Sequence, residues 1–432
     1  MKQIFIIFFI SFLFNTNLLA VTLPEALLEA YKNNPVLNAE RENINISQEN
    51  LNISKSEFLP TITITGTKSK EDTTRLKNQN RSDATISDVD PLTTSLLIEQ
   101  TLFDGKARNS DLEKSEIGID LAKAKILKVE QEILYKAVEA YTGLILANKK
   151  LRINRSNVNL LNRQVETDQA RQERGQITLT DLAQSESSLA GAKAKFIEAK
   201  NDVISSRLIY ENVIGPIVNS DVLNENSKLS VNIPKSLGKA NDISKKENPN
   251  LIIAKLEYLQ SEKDIRIAEA DMLPSATLSF EASHSEDLSS TYDERNKKIL
   301  KATVKWPFYT GGKNKAKIDK NRNIKYQKKL LLDNALKTNN TNVASAWSNF
   351  QSSKSLLNSV KVQVKAAETA NEGITVEYES GLGRSTLDVI QSNTILLDSK
   401  ISLANSERNF LLSQFKLLKS IGLLTSKYLQ IN

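Results

Sequence analysis

The chain of 432 residues repeats one plan, and this duplication constrains its fold more than any other feature. Its prolines are clustered and leave two long stretches without any, residues 92–215 and 308–432. Each stretch follows a segment in which apolar and polar residues alternate. Self-similarity of this kind predicts two structural copies with the same order of elements.

Short motifs recur in the same order in both halves, at spacings between 205 and 214 residues. The pairs are Asn34-Pro35 with Asn248-Pro249, Leu59-Pro60 with Leu273-Pro274, Leu102-Phe103-Asp104-Gly105 with Pro307-Phe308-Tyr309-Thr310-Gly311-Gly312, Ala140-Tyr141 with Ala346-Trp347, Glu173-Arg174-Gly175 with Glu379-Ser380-Gly381, and Ile214-Gly215 with Ile421-Gly422. We therefore predict a first repeat over 21–215, a linker over 216–247 and a second repeat over 248–432.

Each repeat is predicted to begin with a helix and two strands. The first helix covers about 24–58, and Asn33-Asn34-Pro35 favours a break or kink within it. The strands are predicted at about 61–70 and 92–103, and at about 275–286 and 298–309, with polar loops over 68–91 and 285–297. In Thr61–Thr65 the isoleucines face one side and the threonines the other. A barrel between lipid and water requires this alternation, although a half-buried soluble sheet shows it too.

A heptad pattern follows the strands. Apolar or small residues recur at steps of three and four from Ala122 to Val165, with a single extra step of four. This predicts a coiled-coil helix from about 106 to 174, roughly 100 Å long at about 1.5 Å per residue. Gly175 and Gly381 end these helices before second heptad segments over 181–214 and 388–421. Each repeat should therefore end in an antiparallel helical hairpin.

The N-terminus has the pattern of a secretory signal peptide. Lys2 precedes an apolar run from Ile4 to Phe14, and Ala20 stands at the expected cleavage site. We predict a signal peptide over 1–20. No later segment reaches 18 apolar residues, so a membrane role for the mature chain would have to use strands.

Composition argues against most enzyme classes. The chain has no cysteine and a single histidine, His284, so thiol catalysis and multi-histidine metal sites are excluded. Gly311-Gly312-Lys313 lacks the spacing of a phosphate-binding loop. The net charge of +7 is modest, and the basic run Lys313–Lys329 is interpreted as a solvated helix face rather than a polyanion or headgroup contact. No enzymatic activity, cofactor or nucleic-acid partner is expected.

These motifs resemble the TolC family of outer-membrane efflux and secretion channels, over nearly the whole mature chain, about 21–425. The resemblance implies a mainly α-helical homotrimer of a Gram-negative bacterium. In it, four strands per chain form a 12-stranded outer-membrane β-barrel, continuous with a 12-helix periplasmic α-barrel. The linker 216–247 and the C-terminus form an equatorial belt near the middle of this tube. It further implies contact with outer-membrane lipid, a periplasmic adaptor protein and an inner-membrane transporter of the ABC or RND type. Such a channel is the passive exit duct of a tripartite efflux pump or a type I secretion system.

The resemblance also implies a periplasmic gate at the hairpin tips. It places Thr180, Asp181, Tyr378, Arg384 and Asp388 in the constricting network, next to the turns at Gly175 and Gly381. A Tyr hydroxyl and an Arg side chain can bind carboxylates on neighbouring hairpins, and a ring of Asp388 would attract cations. The alternative for Thr180 and the two aspartates is helix capping. Two features depart from the family pattern: Gln391 replaces a common second Asp, and one extra residue separates Gly381 from Asp388.

Two other classes of protein compete with the channel. A periplasmic adaptor also carries long helical hairpins, but it would have one hairpin flanked by small β-domains. A structural coiled coil would explain neither the alternating segments nor the signal peptide. Drug efflux and protein secretion share this outer component, so the transported substrate stays open.

Overall fold

The computed structural model describes residues 21–72, 88–217, 223–225, 231–289 and 292–431. The predicted signal peptide, 1–20, lies outside this part of the chain, and so does 73–87, which is most of the predicted loop between the first two strands. Among the described residues, no helix is both long enough and apolar enough to cross a bilayer.

Within the described residues, the two halves of the chain have the same order of elements. The first half contains α1 (Leu23–Asn33), α2 (Pro35–Ser56), β1 (Thr61–Lys68), β2 (Leu92–Phe103), α3 (Ala107–Glu173) and α4 (Leu179–Val213). The second contains α5 (Leu237–Glu247), α6 (Pro249–Ala270), β3 (Ser275–Ser289), β4 (Tyr292–Lys305), α7 (Lys313–Glu379), α8 (Thr386–Ile421) and α9 (Ser426–Leu429). Both α3 and α7 have 67 residues, and both α2 and α6 have 22. The duplication in sequence is therefore a duplication in structure.

An Asn-Pro pair separates the two short helices in each half. The residue before a proline is disfavoured in a helix. The side chain of Asn34 accepts a hydrogen bond from the amide of Val36 at 3.0 Å, and that of Asn248 accepts one from the amide of Asn250 at 2.9 Å. Each Asn thus ends one helix and caps the next.

The second copy begins earlier in the structure than predicted. Helix α5 covers 237–247 and lies inside the predicted linker 216–247. The Ser236 hydroxyl accepts a hydrogen bond from the amide of Lys239 at 3.3 Å, so this serine starts a helix instead of belonging to a linker. The prediction missed α5 because Asn248-Pro249 was interpreted as the start of the repeat, whereas it is an internal break.

The four strands form one antiparallel sheet in the order β1-β2-β3-β4. The hairpin of β3 and β4 is longer than predicted, because Glu286 pairs with Glu294 inside the predicted loop 285–297. Strand pairing is made by the backbone, and polar side chains exposed to water do not oppose it. At its other end β4 stops at Lys305 instead of 309, since Pro307 cannot donate to a ladder.

The long helices carry the predicted seam. Every seam position of α3 from Ala122 to Val165 is buried or half-buried, and none is exposed. Many of these residues are alanines, which let neighbouring helices approach closely. The seam continues by one more step of three to Asp168, which is also buried.

The chain forms two compact units, and each takes residues from both halves. The described residues of the first unit come from the ranges up to 38, 129–244 and 341 onward. The largest fully buried side chains lie in this unit: Leu23, Leu27, Leu37, Leu134, Val138, Tyr141, Leu144, Phe415, Leu417, Leu418, Ile421 and Leu424. The Tyr141 hydroxyl donates to the carbonyl oxygens of Val21 and Asn224, each at 3.0 Å. This core fixes the middle of α3 against α1 and the end of α8.

The second unit contains residues 39–128 and 245–340 and includes the whole sheet. Ion pairs tie its helices together, among them Lys114 with Asp264 at 2.6 Å and Lys328 with Glu257 at 2.8 Å. The Ser54 hydroxyl donates to Asp111 at 2.6 Å. Strand β1 is exposed along its whole length, so no core formed by the described residues covers this strand.

Candidate functional site

The two helical hairpins turn through the same motif. At the end of α3 the amide of Gln176 donates to the Arg171 carbonyl at 2.9 Å, and at the end of α7 the amide of Leu382 donates to the Glu377 carbonyl at 2.9 Å. Such hydrogen bonds are typical of a Schellman motif, in which the first residue after the helix has a left-handed conformation. Gly175 has φ of 70° and Gly381 has φ of 72°. The predicted turn glycines therefore lie where only glycine avoids backbone strain.

Each hairpin resumes with a capping box. The Thr178 amide donates to Asp181 Oδ2 at 2.9 Å, and the Asp181 amide donates to Thr178 Oγ1 at 3.2 Å. Ser385 and Asp388 form the same pair of bonds, at 2.9 and 3.2 Å. Two orphan amides are satisfied at each helix start. In one chain, both predicted gate aspartates thus act as helix caps.

The caps also set the charge of these carboxylates. Hydrogen bonds from the hydroxyl and the amide of Thr178 hold the pKa of Asp181 below its ordinary value. The amide and the hydroxyl of Ser385 lower the pKa of Asp388 in the same way, with a smaller contribution from the charge of Arg384. Both aspartates are therefore anionic at neutral pH.

The other predicted gate residues lie in different surroundings. Thr180 is exposed in the first turn of α4. Arg384 donates through Nε to Glu377 Oε2 at 2.6 Å, and both side chains are more than 40% exposed. Tyr378 is only 5% exposed. Within the described residues, no hydrogen bond or ion pair joins Thr180 or Asp181 to the predicted residues of the second tip.

Tyr378 instead contacts a buried carboxylate that the sequence reasoning missed. Its hydroxyl donates to Asp168 Oδ1 at 2.7 Å and lies 3.0 Å from the Thr386 hydroxyl. Asp168 has no exposed surface. It also accepts hydrogen bonds from Gln164 Nε2 and from the Ser185 hydroxyl. This cluster, which we call the Asp168 node, joins α3, α4, α7 and α8.

A cation covers the other face of the tyrosine. The Arg171 guanidinium lies 4.3 Å from the centroid of the Tyr378 ring, and its NH2 atom donates to the Tyr378 carbonyl at 3.4 Å. Burial raises the pKa of Tyr378 above its ordinary value, so the phenol keeps its proton and remains a donor. One feature of the sequence could have predicted the node: Asp168 is a carboxylate at a position of the heptad seam that is otherwise apolar or small.

The sheet forms a second candidate region, since its two faces differ. Directly opposite residues share a face, and the row Ile62–Ile98–Phe280–Leu300 crosses all four strands. The opposite face carries the threonines of β1, the odd-numbered serines of β3 and three lysines of β4. Ile62 is 65% exposed and Leu300 is 72% exposed. The described residues of the chain do not cover this apolar row, and an exposed row of this kind is typical of a surface that contacts a membrane or another protein.

Aromatic side chains follow the end of β4. Trp306 is 62% exposed, Phe308 86% and Tyr309 85%. The Trp306 and Phe308 rings contact edge-on at a centroid distance of 5.9 Å. Exposed aromatic groups at the margin of an apolar band are typical of a membrane–water interface. Together with the two-faced sheet, they indicate a strand region built for lipid on one side.

Comparison with known proteins agrees with these features. The sequence profile described as outer membrane efflux protein matches residues 26–212 and 242–423. The outer membrane efflux protein BepC of Brucella suis is 27% identical, over 95% of this chain and 87% of BepC. The outer membrane protein TolC of Vibrio cholerae is 23% identical, over 94% of this chain and 92% of TolC. The predicted resemblance to the TolC family is confirmed.

A solved structure shows the fold. The Campylobacter jejuni CmeC outer membrane channel superposes with a TM-score of 0.80 at 15% identity, and the match covers 93% of this chain and 85% of CmeC. The predicted fold class, mainly helical with a strand portion, is confirmed by this likeness.

Proposed function

Because this chain belongs to the outer membrane efflux protein family, we propose that it forms the passive outer-membrane duct of a tripartite export system. The observation that carries the proposal is the two-faced sheet. Its apolar face suits lipid and its polar face suits a water-filled lumen. The 67-residue helices α3 and α7 start within a few residues of β2 and β4, and they suit the periplasmic part of the same conduit.

The edges of the sheet argue for assembly. β1 and β4 are its two edge strands, and a bilayer does not satisfy the free N–H and C=O groups of an edge. Pairing β1 of one copy with β4 of the next removes both edges. Three copies supply 12 strands, and a barrel of that size is wider than an eight-stranded one, whose interior side chains fill. A homotrimer is thus the assembly that the sheet supports.

The hairpin tips are the proposed gate. In each chain Asp388 accepts the hydrogen bonds from the amide and the hydroxyl of Ser385 through Oδ2, and Oδ1 remains on the other side of the carboxylate. Arg384 and Asp388 are partly exposed, so they can reach the tip of a neighbouring copy. Asp181 and Thr180 supply the facing groups on the first tip. The Asp168 node holds the two hairpins of one chain together while these contacts between chains are made and broken.

Opening would then require an outside partner. The proposed partners are a periplasmic adaptor protein, which engages the hairpins, and an inner-membrane transporter of the ABC or RND type, which supplies the energy. Efflux of small molecules is favoured by the description of the family, and type I secretion of proteins would use the same duct.

The assembly and the pore test the proposal together. The purified mature chain should be a trimer in detergent by light scattering, and it should form discrete conducting channels in planar lipid bilayers. A monomer that is stable in buffer without detergent, or a trimer that never conducts, would contradict the duct.

A further inference from the structure

Three lysines form a column on the polar face of β4. Lys297, Lys301 and Lys305 are four residues apart and therefore point to the same side of the strand. Consecutive lysines are separated by about 13 Å along the strand at about 3.3 Å per residue. All three are exposed.

The register defines what surrounds this lysine column. Across β3, Lys297 lies opposite Ser283, Lys301 opposite Ser279 and Lys305 opposite Ser275. The even-numbered residues between the lysines point the other way and include Leu300, Ala302 and Val304. The lysines thus lie at the same height along β4 as these apolar residues, but on the opposite face of the strand.

Acidic residues neutralise the column only in part. Glu281 lies opposite Ile299, diagonal to Lys297 and Lys301, and Glu99 pairs with Ser279 on the same face. Within the described residues, none of the three lysines is in an ion pair with a carboxylate. β4 is also an edge strand, and the β1 face that would pair with it carries threonines. The positive charge therefore stays concentrated along one line.

We propose that the lysine column is an anion-binding track on the lumen face of the strand region, selective for solutes with several phosphate, sulfate or carboxylate groups. This inference rests on the proposed function, because the duct is what places the polar face in the lumen. Amines at intervals of about 13 Å let a polyanion pass from one site to the next without leaving the wall. The track favours anionic cargo over neutral cargo of the same size.

Block of single channels by inositol hexakisphosphate tests the track. Added on the strand side, it should reduce the wild-type current, and the block should strengthen as KCl is lowered from about 1 M to about 0.1 M. The variant K297Q/K301Q/K305Q should need at least about tenfold more inositol hexakisphosphate for half-block. K298Q is the matched control, because it removes a lysine from the same strand on the opposite face. Inositol hexakisphosphate should block this variant at the same concentration as wild type.

The outcomes separate the track from the duct. The track would be overturned if inositol hexakisphosphate blocked wild type and the triple variant equally, or if K298Q weakened the block as strongly as the triple variant. Either result would leave the duct intact. The absence of conducting channels in wild type would contradict the duct itself. If the triple variant inserts poorly, K301Q alone decides the question, because loss of the central amine should still weaken the block about threefold.

Discussion

The hydroxyl of Tyr378 donates a 2.7 Å hydrogen bond to the buried carboxylate of Asp168, 210 residues earlier in the chain. The bond joins the end of α7 to the end of α3, and so it connects the hairpin of the second repeat to the hairpin of the first. Asp168 also accepts from Gln164 and Ser185, which offsets the cost of burying its charge. The two hairpins of one chain are therefore held by a polar contact whose loss is costly.

Replacing Tyr378 with Phe should loosen the paired hairpins. The change removes one donor from a buried carboxylate, at a cost of about 1–2 kcal/mol. We expect a larger mean single-channel conductance and faster hydrogen exchange at the ends of α3 and α7. Tyr141→Phe is the matched control, because its hydroxyl bonds two carbonyls in the core of the first unit. It should lower thermal stability without changing conductance, and an equal conductance change in both variants would contradict the role of the node.

Replacing Arg384 or Asp388 with Ala should open the proposed gate. Each change removes a charged group that can bind the tip of a neighbouring copy, so conductance in planar bilayers should rise. Asp388→Ala also removes a capping box, at a cost of about 1 kcal/mol. Glu25→Ala removes the equivalent box of α1 and controls for capping alone. If neither tip variant changes conductance, Asp388 is only a helix cap.

Acid should weaken both tips. The pKa values of Asp181 and Asp388 lie below the ordinary value of 3.8 because of their capping bonds. A carboxylate whose pKa is lowered by folding stabilises the folded state above its unfolded pKa, and this contribution is lost as the pH falls through the folded pKa. The caps should therefore protect the first turns of α4 and α8 from hydrogen exchange to a constant degree near neutral pH, and fraying should appear only below about pH 4.

A serine variant tests whether the cap is the source of this pH dependence. Ser385→Ala removes the hydroxyl that helps to lower the pKa of Asp388, so fraying of α8 should begin at a higher pH than in wild type. The first turn of α4, capped by Thr178, serves as the internal control and should not shift. Equal shifts in both helices would show that the acid response does not come from the cap.

Replacing Gly381 with Ala should destabilise the second tip. Its φ of 72° is unfavourable for a side chain, and an added Cβ meets no atom within 4 Å, so the cost is backbone strain of about 1–2 kcal/mol. Gly373→Ala is the control, since this glycine lies inside α7 with open space around it. The control should stabilise the helix by up to about 1 kcal/mol. Hydrogen exchange at the tip should rise in the first variant and fall or stay equal in the second.

The faces of β4 should respond in opposite ways to a new charge. Leu300→Arg places a cation in the apolar row, and we expect a loss of about 2–4 kcal/mol in membrane-inserted stability. Ile299→Arg places the same cation on the polar face, next to Glu281, and should be tolerated. Folding into lipid vesicles, followed by the mobility shift of the folded form in gels, measures both. Equal losses would show that β4 does not have one face in lipid.

Much of the fold could be predicted because it is encoded locally. The seam from Ala122 to Val165 predicted α3 nearly to its ends, and the alternation in Thr61–Thr65 predicted β1. The turn glycines Gly175 and Gly381 were located from their position after a heptad run. Each of these features depends on residues within a few positions of one another, so periodicity is enough to find them.

The errors arose where a local pattern fits two structures. Polar residues over 285–297 are typical of a loop, but Ser285 and Glu286 pair with Arg295 and Glu294 because β3 and β4 continue side by side. Ser236 and Gly238 are typical of a linker, but Ser236 caps α5. In both places neighbouring elements, not composition, decide the outcome.

Local patterns in the sequence are enough to predict the duplicated order of helices and strands, the length of the long helices and the two-faced character of the strands. By contrast, only the folded chain shows that Tyr378 contacts Asp168 instead of a carboxylate at a hairpin tip. This difference follows from distance along the chain. Helix and strand periods are set by neighbouring residues, whereas the partner of a buried tyrosine 210 residues from its acceptor depends on how the two hairpins pack.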